Sequence, residues 1–187
     1  MEKAISEKDL DIKIKILAKQ INDAHRGDPT PVVMVCILNG GFMFFSDLVK
    51  ELTIPVELDF IRCKSYYGRK QGDLVVSKDL ETKIKNKHVY LVDDIVDSGN
   101  TMKAVMKFLS VKEPKSMTPV AAIYKESVDF DKVLHILYQD VDTIFDPWYI
   151  GYGMDDDKGH NRNLSTIYTI WYDSKSKLLQ INTPNAK

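Results

Sequence analysis

Residues 89–101, VYLVDDIVDSGNT, decide how this chain is read. An apolar strand over 88–92 runs directly into two adjacent carboxylates, Asp93 and Asp94. Neighbouring carboxylates repel, so a purely structural strand gains nothing by ending in them. They become useful beside a cation, or opposite sugar hydroxyls whose hydrogen bonds they accept. Asp97, Ser98, Gly99, Asn100 and Thr101 then supply a third carboxylate, two hydroxyls, a glycine and the start of a helix over 101–109. Backbone N–H groups at a helix N-terminus, with hydroxyls around them, form a phosphate site. One short segment can thus hold a phosphorylated sugar, with its hydroxyls on the acids and its phosphate on the loop. A bare D-x-G-x-T would be an ordinary strand–turn–helix; the flanking strand and helix set the full string apart from that.

Working outward, the elements alternate. Apolar residues at Leu10, Ile14, Leu17, Ala18 and Ile21 have helical spacing, with Ser6 and Asp9 as the cap and Gly27 and Pro29 as the stop. Residues 32–38, VVMVCIL, are a continuous apolar run suited to a strand buried on both faces. Asn39-Gly40-Gly41 and a helix-like FMFFSDLVKEL follow, ending before Pro55. Residues 56–65 alternate like a strand, 66–73 form a polar loop, and 74–76 make a short strand beyond it. Further strands are expected over 119–124, 134–138 and 143–145. Strands alternating with helices predict an α/β fold with a central parallel sheet. Ligands in such sheets bind beyond the carboxyl ends of the strands, so loops 39–41, 93–101 and the region around 125 should share one rim.

The bulk properties narrow the classes. The chain has 187 residues, 44% hydrophobic, which suits one domain with a real core. The net charge of −1 argues against a general nucleic-acid binder but not against an anionic small molecule. Cys36 and Cys63 are read as buried, reduced thiols. The charged N-terminus is no signal peptide and no apolar run is long enough for a membrane helix, so a cytoplasmic protein with no membrane partner is expected. The acceptor pattern at Asn163 is read as chance. Residues 1–8 and 174–187 receive no role and are expected at the periphery.

The string at 89–101 resembles the phosphoribosyl-pyrophosphate (PRPP) signature of type I phosphoribosyltransferases. CILNGGFMFFSDL at 36–48, VELDFIRCKSYYG at 56–68, EPKS at 113–116, Lys125, WYIGYGMDDD at 148–157 and RNL at 162–164 are similar, in order, to the 6-oxopurine branch, the hypoxanthine-guanine phosphoribosyltransferases. The resemblance implies a type I fold: one domain over 1–187, with a core at about 30–145 and a small hood built from the N-terminal segment and 146–170. It implies that Asp93 and Asp94 bind the ribose hydroxyls, directly or through Mg²⁺. Asp97 becomes the candidate general base facing purine N7, and Ser98, Gly99, Asn100 and Thr101 the 5′-phosphate loop. Asn39 and Gly40 match a pyrophosphate loop that contains a cis peptide in relatives, and Ser65 and Tyr66 match a lid over the reacting centre. Lys125 matches the donor to the purine 6-oxo group, Trp148 the stacking aromatic, and Tyr149 the residue whose backbone meets the purine edge. Asp155 matches a carboxylate near the 2-position and a second metal. Arg162 matches a pyrophosphate-binding arginine if the stretch before it holds one extra residue. Asn39, Asn100 and Asp129 stand where relatives often carry cations.

The implied reaction joins PRPP to hypoxanthine, and also guanine or xanthine, giving a nucleoside 5′-monophosphate and pyrophosphate. Homodimers or homotetramers are the assemblies the family suggests. A regulator of the same fold that binds RNA or nucleotide is the competing class, and its expected basic face sits poorly with the charge of −1. A pyrimidine or adenine transferase is the third reading, disfavoured by Lys125, Trp148 and Asp155.

Overall fold

A computed structural model describes residues 1–65, 74–125, 130, 132–139 and 147–170. In chain order the elements are β1 (Glu2–Lys3), α1 (Glu7–Ala24), β2 (Val32–Leu38), α2 (Phe42–Lys50), β3 (Val56–Ser65), β4 (Leu74–Lys78), β5 (His88–Val96), α3 (Asn100–Ser110), β6 (Ser116–Lys125), β7 (Leu134–Gln139), β8 (Trp148–Ile150) and β9 (Tyr168–Ile170).

β2 is buried almost throughout, as its unbroken apolar run requires. Its side chains alternate between two cores. Val32, Met34 and Cys36 join α1 and α2 on one face of the sheet, while Val33, Val35 and Ile37 join α3 on the other. The helices commit matching stripes: Leu10, Ile14, Leu17, Ala18 and Ile21 from α1, Phe44, Phe45 and Leu48 from α2, and Met102, Val105 and Leu109 from α3. The Ser6 hydroxyl caps α1 by accepting the Asp9 N–H at 3.1 Å.

The main sheet has the order β4-β3-β2-β5-β6-β7. Five strands are parallel, as expected of the central sheet, and at one edge β4 pairs antiparallel with β3. A chain that returns directly beside the strand it has left can only run the opposite way. One expectation changes. β5 does not stop at Val92 but stays paired with β6 through Asp93 to Val96, because a ladder of backbone hydrogen bonds is indifferent to side-chain charge. The acidic pair is therefore strand, not loop. The strand expected at 143–145 lies outside the described residues.

A second, three-stranded antiparallel sheet has the order β1-β9-β8. Residues 1–8 are not peripheral in it. Glu2 and Lys3 pair with Thr169 and Tyr168, the Ala4 N–H donates to the Ile167 carbonyl at 2.9 Å, and Ile5 is buried. Their pairing partner lies more than 160 residues away, beyond the reach of local pattern. Among the described residues no helix is long and apolar enough to cross a membrane.

The connection from β4 to β5 hangs on Asp59. Its buried carboxylate accepts N–H bonds from Phe60 at 2.7 Å, Glu81 at 2.8 Å and Thr82 at 2.7 Å, with the Lys78 ammonium at 3.4 Å. Burial pushes this carboxyl up, but the N–H donors of Thr82, Phe60 and Glu81 outweigh it and leave it below the ordinary carboxylate range. Asp59→Ala strands those donors and should cost about 2–4 kcal/mol in urea unfolding at pH 7. A folded-state value below the unfolded one contributes stability above the unfolded pKa, and this is lost as pH falls through the folded value. The gap between wild type and variant should therefore narrow below about pH 4, and a gap unchanged down to pH 2 would refute the assignment.

Candidate active site

The carboxyl ends of β2, β5 and β6 meet on one rim, and β5 brings the acids to its centre. Asp93 is only 7% exposed. Its Oδ1 accepts the Asp94 N–H at 2.9 Å, and Asp94 Oδ1 accepts the Ile95 N–H at 2.9 Å. Burial, then the charge of Asp94, drives the Asp93 carboxyl well above its ordinary range. Two adjacent oxygen-only side chains, one of them buried against its own ionisation, form a donor set that suits a hard divalent cation.

The loop after β2 reaches this pair. A non-proline cis peptide joins Leu38 to Asn39, the bond type implied for this loop. Gly40 then passes so close to Asp94 that a Cβ on it would lie 1.8 Å from Asp94 Oδ2. The second sheet touches the same point. Gly153, at φ +100°, approaches until a Cβ on it would lie 2.0 Å from the Gly40 carbonyl oxygen. Arg162 holds that approach: its Nη1 donates to the Gly153 carbonyl at 2.6 Å, its Nη2 to Asp155 Oδ2, and its own carbonyl accepts the Gly153 N–H at 2.9 Å. The guanidinium expected on pyrophosphate is thus shared between the Gly153 backbone and Asp155, one backbone contact away from Gly40. Tyr152 fixes the loop from below, donating its hydroxyl to Asp47 Oδ2 on α2 at 2.7 Å.

On the other side of the acids, Asp97 and Lys125 face each other, with Lys125 Nζ 3.1 Å from Asp97 Oδ1. Lys125 is buried at the end of β6, while the Asp97 side chain is largely open. Lys125 is in register with Gln139 on β7, and Gln139 Oε1 accepts the Tyr149 hydroxyl at 2.8 Å. That bond ties β8 to the rim beside Lys125. Trp148, 49% exposed, donates its indole N–H to the Asp155 carbonyl at 3.3 Å, which fixes a flat apolar face at the surface. Between these points α3 begins behind Gly99, whose φ is +70° and which has no side chain to cap the first N–H groups of the helix. Ser98 and Asn100 are exposed there, and Thr101 is half-buried.

The structure therefore gathers two groups around β5. Asn39 and Gly40, with Asp155 and Arg162 attached through Gly153, stand beside Asp93 and Asp94. Lys125, with Tyr149 attached through Gln139, stands beside Asp97 and the loop of Ser98, Gly99, Asn100 and Thr101. Ser65 closes β3, while Tyr66 and Asp129 lie outside the described residues. Sequence reading passed over Gly153, Tyr152 and Gln139. The first two had a signal, the alternation of glycine with aromatics in YIGYG; Gln139 had none.

The phosphoribosyl transferase domain family matches residues 4–156. The hypoxanthine phosphoribosyltransferase of Buchnera aphidicola is 34% identical over 159 residues, covering 81% of this chain and 85% of its own length. The hypoxanthine-guanine phosphoribosyltransferase of Aquifex aeolicus is 33% identical over 171 residues, covering 89% and 92%. A crystal structure of a hypoxanthine phosphoribosyltransferase from Staphylococcus aureus superposes with a TM-score of 0.81 at 29% identity, covering 90% of each chain.

Gly153→Ala should be costly, because both its φ and the Gly40 carbonyl oppose a side chain, and a loss of about 2–4 kcal/mol in thermal unfolding is expected. Gly159 has φ +81° but nothing nearer than 4.0 Å to a Cβ. Gly159→Ala should cost about 1 kcal/mol, the backbone penalty alone. Equal losses in the two variants would mean that the contact with Gly40 contributes nothing.

Proposed function

The chain belongs to the phosphoribosyltransferase family, and we propose that it transfers the 5-phosphoribosyl group of PRPP to hypoxanthine, releasing a purine nucleoside 5′-monophosphate and pyrophosphate. The observation that carries this reading is the 3.1 Å approach of Lys125 Nζ to Asp97 Oδ1. The 6-oxo oxygen and N7 of a 6-oxopurine stand side by side on one edge of the ring system. A donor and an acceptor held next to each other are what that edge requires. Adenine would present an amino donor to the Lys125 ammonium, and a pyrimidine has no N7.

On this reading Lys125 donates to the 6-oxo oxygen, and Asp97 shares and then accepts the N7 proton as N9 attacks ribose C1′. Trp148 offers a stacking face and Tyr149 meets the purine edge. Asp155 lies near the 2-position, where an acceptor suits the 2-amino group of guanine better than the second oxo group of xanthine. Ser98, Gly99, Asn100 and Thr101 hold the 5′-phosphate with hydroxyls and the N–H groups of α3. Asn39 and Gly40 line the leaving pyrophosphate, with Arg162 contributing charge from the hood loop. Asp93 and Asp94 hold the ribose hydroxyls and would hold Mg²⁺, with Asp155 as the carboxylate for a second ion. Bound there, the metal would supply charge neutralisation for the pyrophosphate leaving group. Ser65 and Tyr66 belong to a lid that excludes water from the ribose.

Exposed Leu58 and Phe60, two residues apart on β3 and so on one face, support a homodimer or homotetramer. Free Cys36 and Cys63, their thiols pushed up by burial (Cys63 to about 11), suit a reducing compartment and support a cytoplasmic location. The regulator reading gains no support from the net charge of −1.

Incubation with PRPP, Mg²⁺ and each nucleobase tests the activity by monophosphate formation, and no turnover with hypoxanthine or guanine would overturn it. Asp97→Asn should lower kcat by about 10²–10⁴-fold while leaving PRPP affinity nearly unchanged. A loss confined to PRPP affinity would remove Asp97 from the role of base.

A further inference from the structure

At the opposite end of β5 from the acids, three side chains from three segments converge. His25 caps the C-terminus of α1, Asp28 lies in the turn before β2, and His88 is the first residue of β5. One ligand atom from each lies within 4.8 Å of the other two. The imidazoles of His25 and His88 are tilted against each other with centroids 4.7 Å apart.

Each histidine has one nitrogen engaged by a hydroxyl. His25 Nε2 is 2.8 Å from the Tyr90 hydroxyl, and His88 Nδ1 is 2.6 Å from Ser116 Oγ. The remaining nitrogens are the unusual ones. His25 is only 8% exposed, and its Nδ1 is buried with no hydrogen-bond partner. Such an atom is costly to bury unless something fills its lone pair or takes its proton. His88 Nε2 faces Asp28 Oδ2 at 3.3 Å. An imidazole oriented by a hydrogen bond on one nitrogen, with the other left for a ligand, is the outer-shell arrangement of metal-binding histidines.

We infer that His25, His88 and Asp28 form a binding site for one borderline transition-metal ion, zinc in the first place, with water completing the shell. Two imidazoles and a carboxylate are a zinc donor set, whereas Mg²⁺ takes oxygen donors and belongs at the other end of the strand. Tetrahedral ligands at zinc bond lengths stand roughly 3.4 Å apart, so the three side chains close in by about an ångström or less on binding. Asp28 is already oriented, its Oδ1 accepting the Thr30 N–H at 2.8 Å. Lys115 Nζ, 3.5 Å from Asp28, is the cation the metal displaces, and it retains Thr30 Oγ1 at 2.7 Å. A surface cavity of about 400 Å³, lined in part by His25, Asp28, Pro31 and Val56, gives entry and room for water. The ion would staple the end of α1 and the turn at 28 to the base of β5.

The test uses the full chain without a histidine tag, in millimolar Mg²⁺ to fill the oxygen sites, titrated with Zn²⁺ and with Co²⁺ as a spectroscopic probe. One equivalent should bind, with visible Co²⁺ bands of a four- or five-coordinate nitrogen–oxygen site and a rise in Tm of several degrees. Asp28→Asn and His88→Gln keep the local hydrogen bonds and should each weaken binding by at least about tenfold. Asp94→Asn should leave it unchanged. No saturable binding below about millimolar, equal binding in the Asp28 and His88 variants, or loss of binding in Asp94→Asn would each overturn the proposal. None of these readouts depends on turnover, so failure here is separable from failure of the phosphoribosyltransferase assignment.

Discussion

The active rim depends on how closely three pieces of backbone can approach one another. Gly40 slides past the Asp94 carboxylate, and Gly153 rests on the Gly40 carbonyl; a single methyl group at either position would occupy space already filled. The second sheet reaches the end of β5 because nothing projects between it and the loop after β2. Arg162 and Tyr152 then hold the approach from either side, through Gly153 and Asp155 in one case and Asp47 in the other. Packed backbone is stiff, so the groups it carries keep their spacing.

Within that frame β5 separates two kinds of electrostatics. Its carboxyl end buries Asp93, whose charge burial opposes, beside Asp94. Its amino end begins with His88, set against His25 and Asp28. One end suits a hard cation and phosphate oxygens, the other a softer ion held by nitrogen. Four residues, Val89, Tyr90, Leu91 and Val92, separate these environments, and their side chains are buried on the two faces of the sheet.

Much of the fold was legible in the chain. The β2 run, the stripes of α1, α2 and α3, and the Ser6 cap follow from local period and capping chemistry. So did the acids of β5, whose side chains are hard to justify on structural grounds. Three things were not legible. β5 runs through its acids because β6 lies alongside, and that pairing leaves no mark on residues 93–96 themselves. Residues 2 and 3 find their partners near residue 169, a contact with no local signal. His25 and His88 are single histidines 63 positions apart, each unremarkable alone.

The sequence by itself determined the chemical inventory and its order: strands that alternate with helices, a carboxylate pair followed by a hydroxyl-rich turn, and a lysine at the end of a later strand. It could do so because period, capping and charge repulsion act between near neighbours. Only the tertiary structure decided that Lys125 meets Asp97, that Gly153 meets Gly40, and that His25 meets His88 and Asp28. Those meetings are set by strand order and by the space left between packed backbones, quantities that exist only once segments far apart in the chain lie side by side.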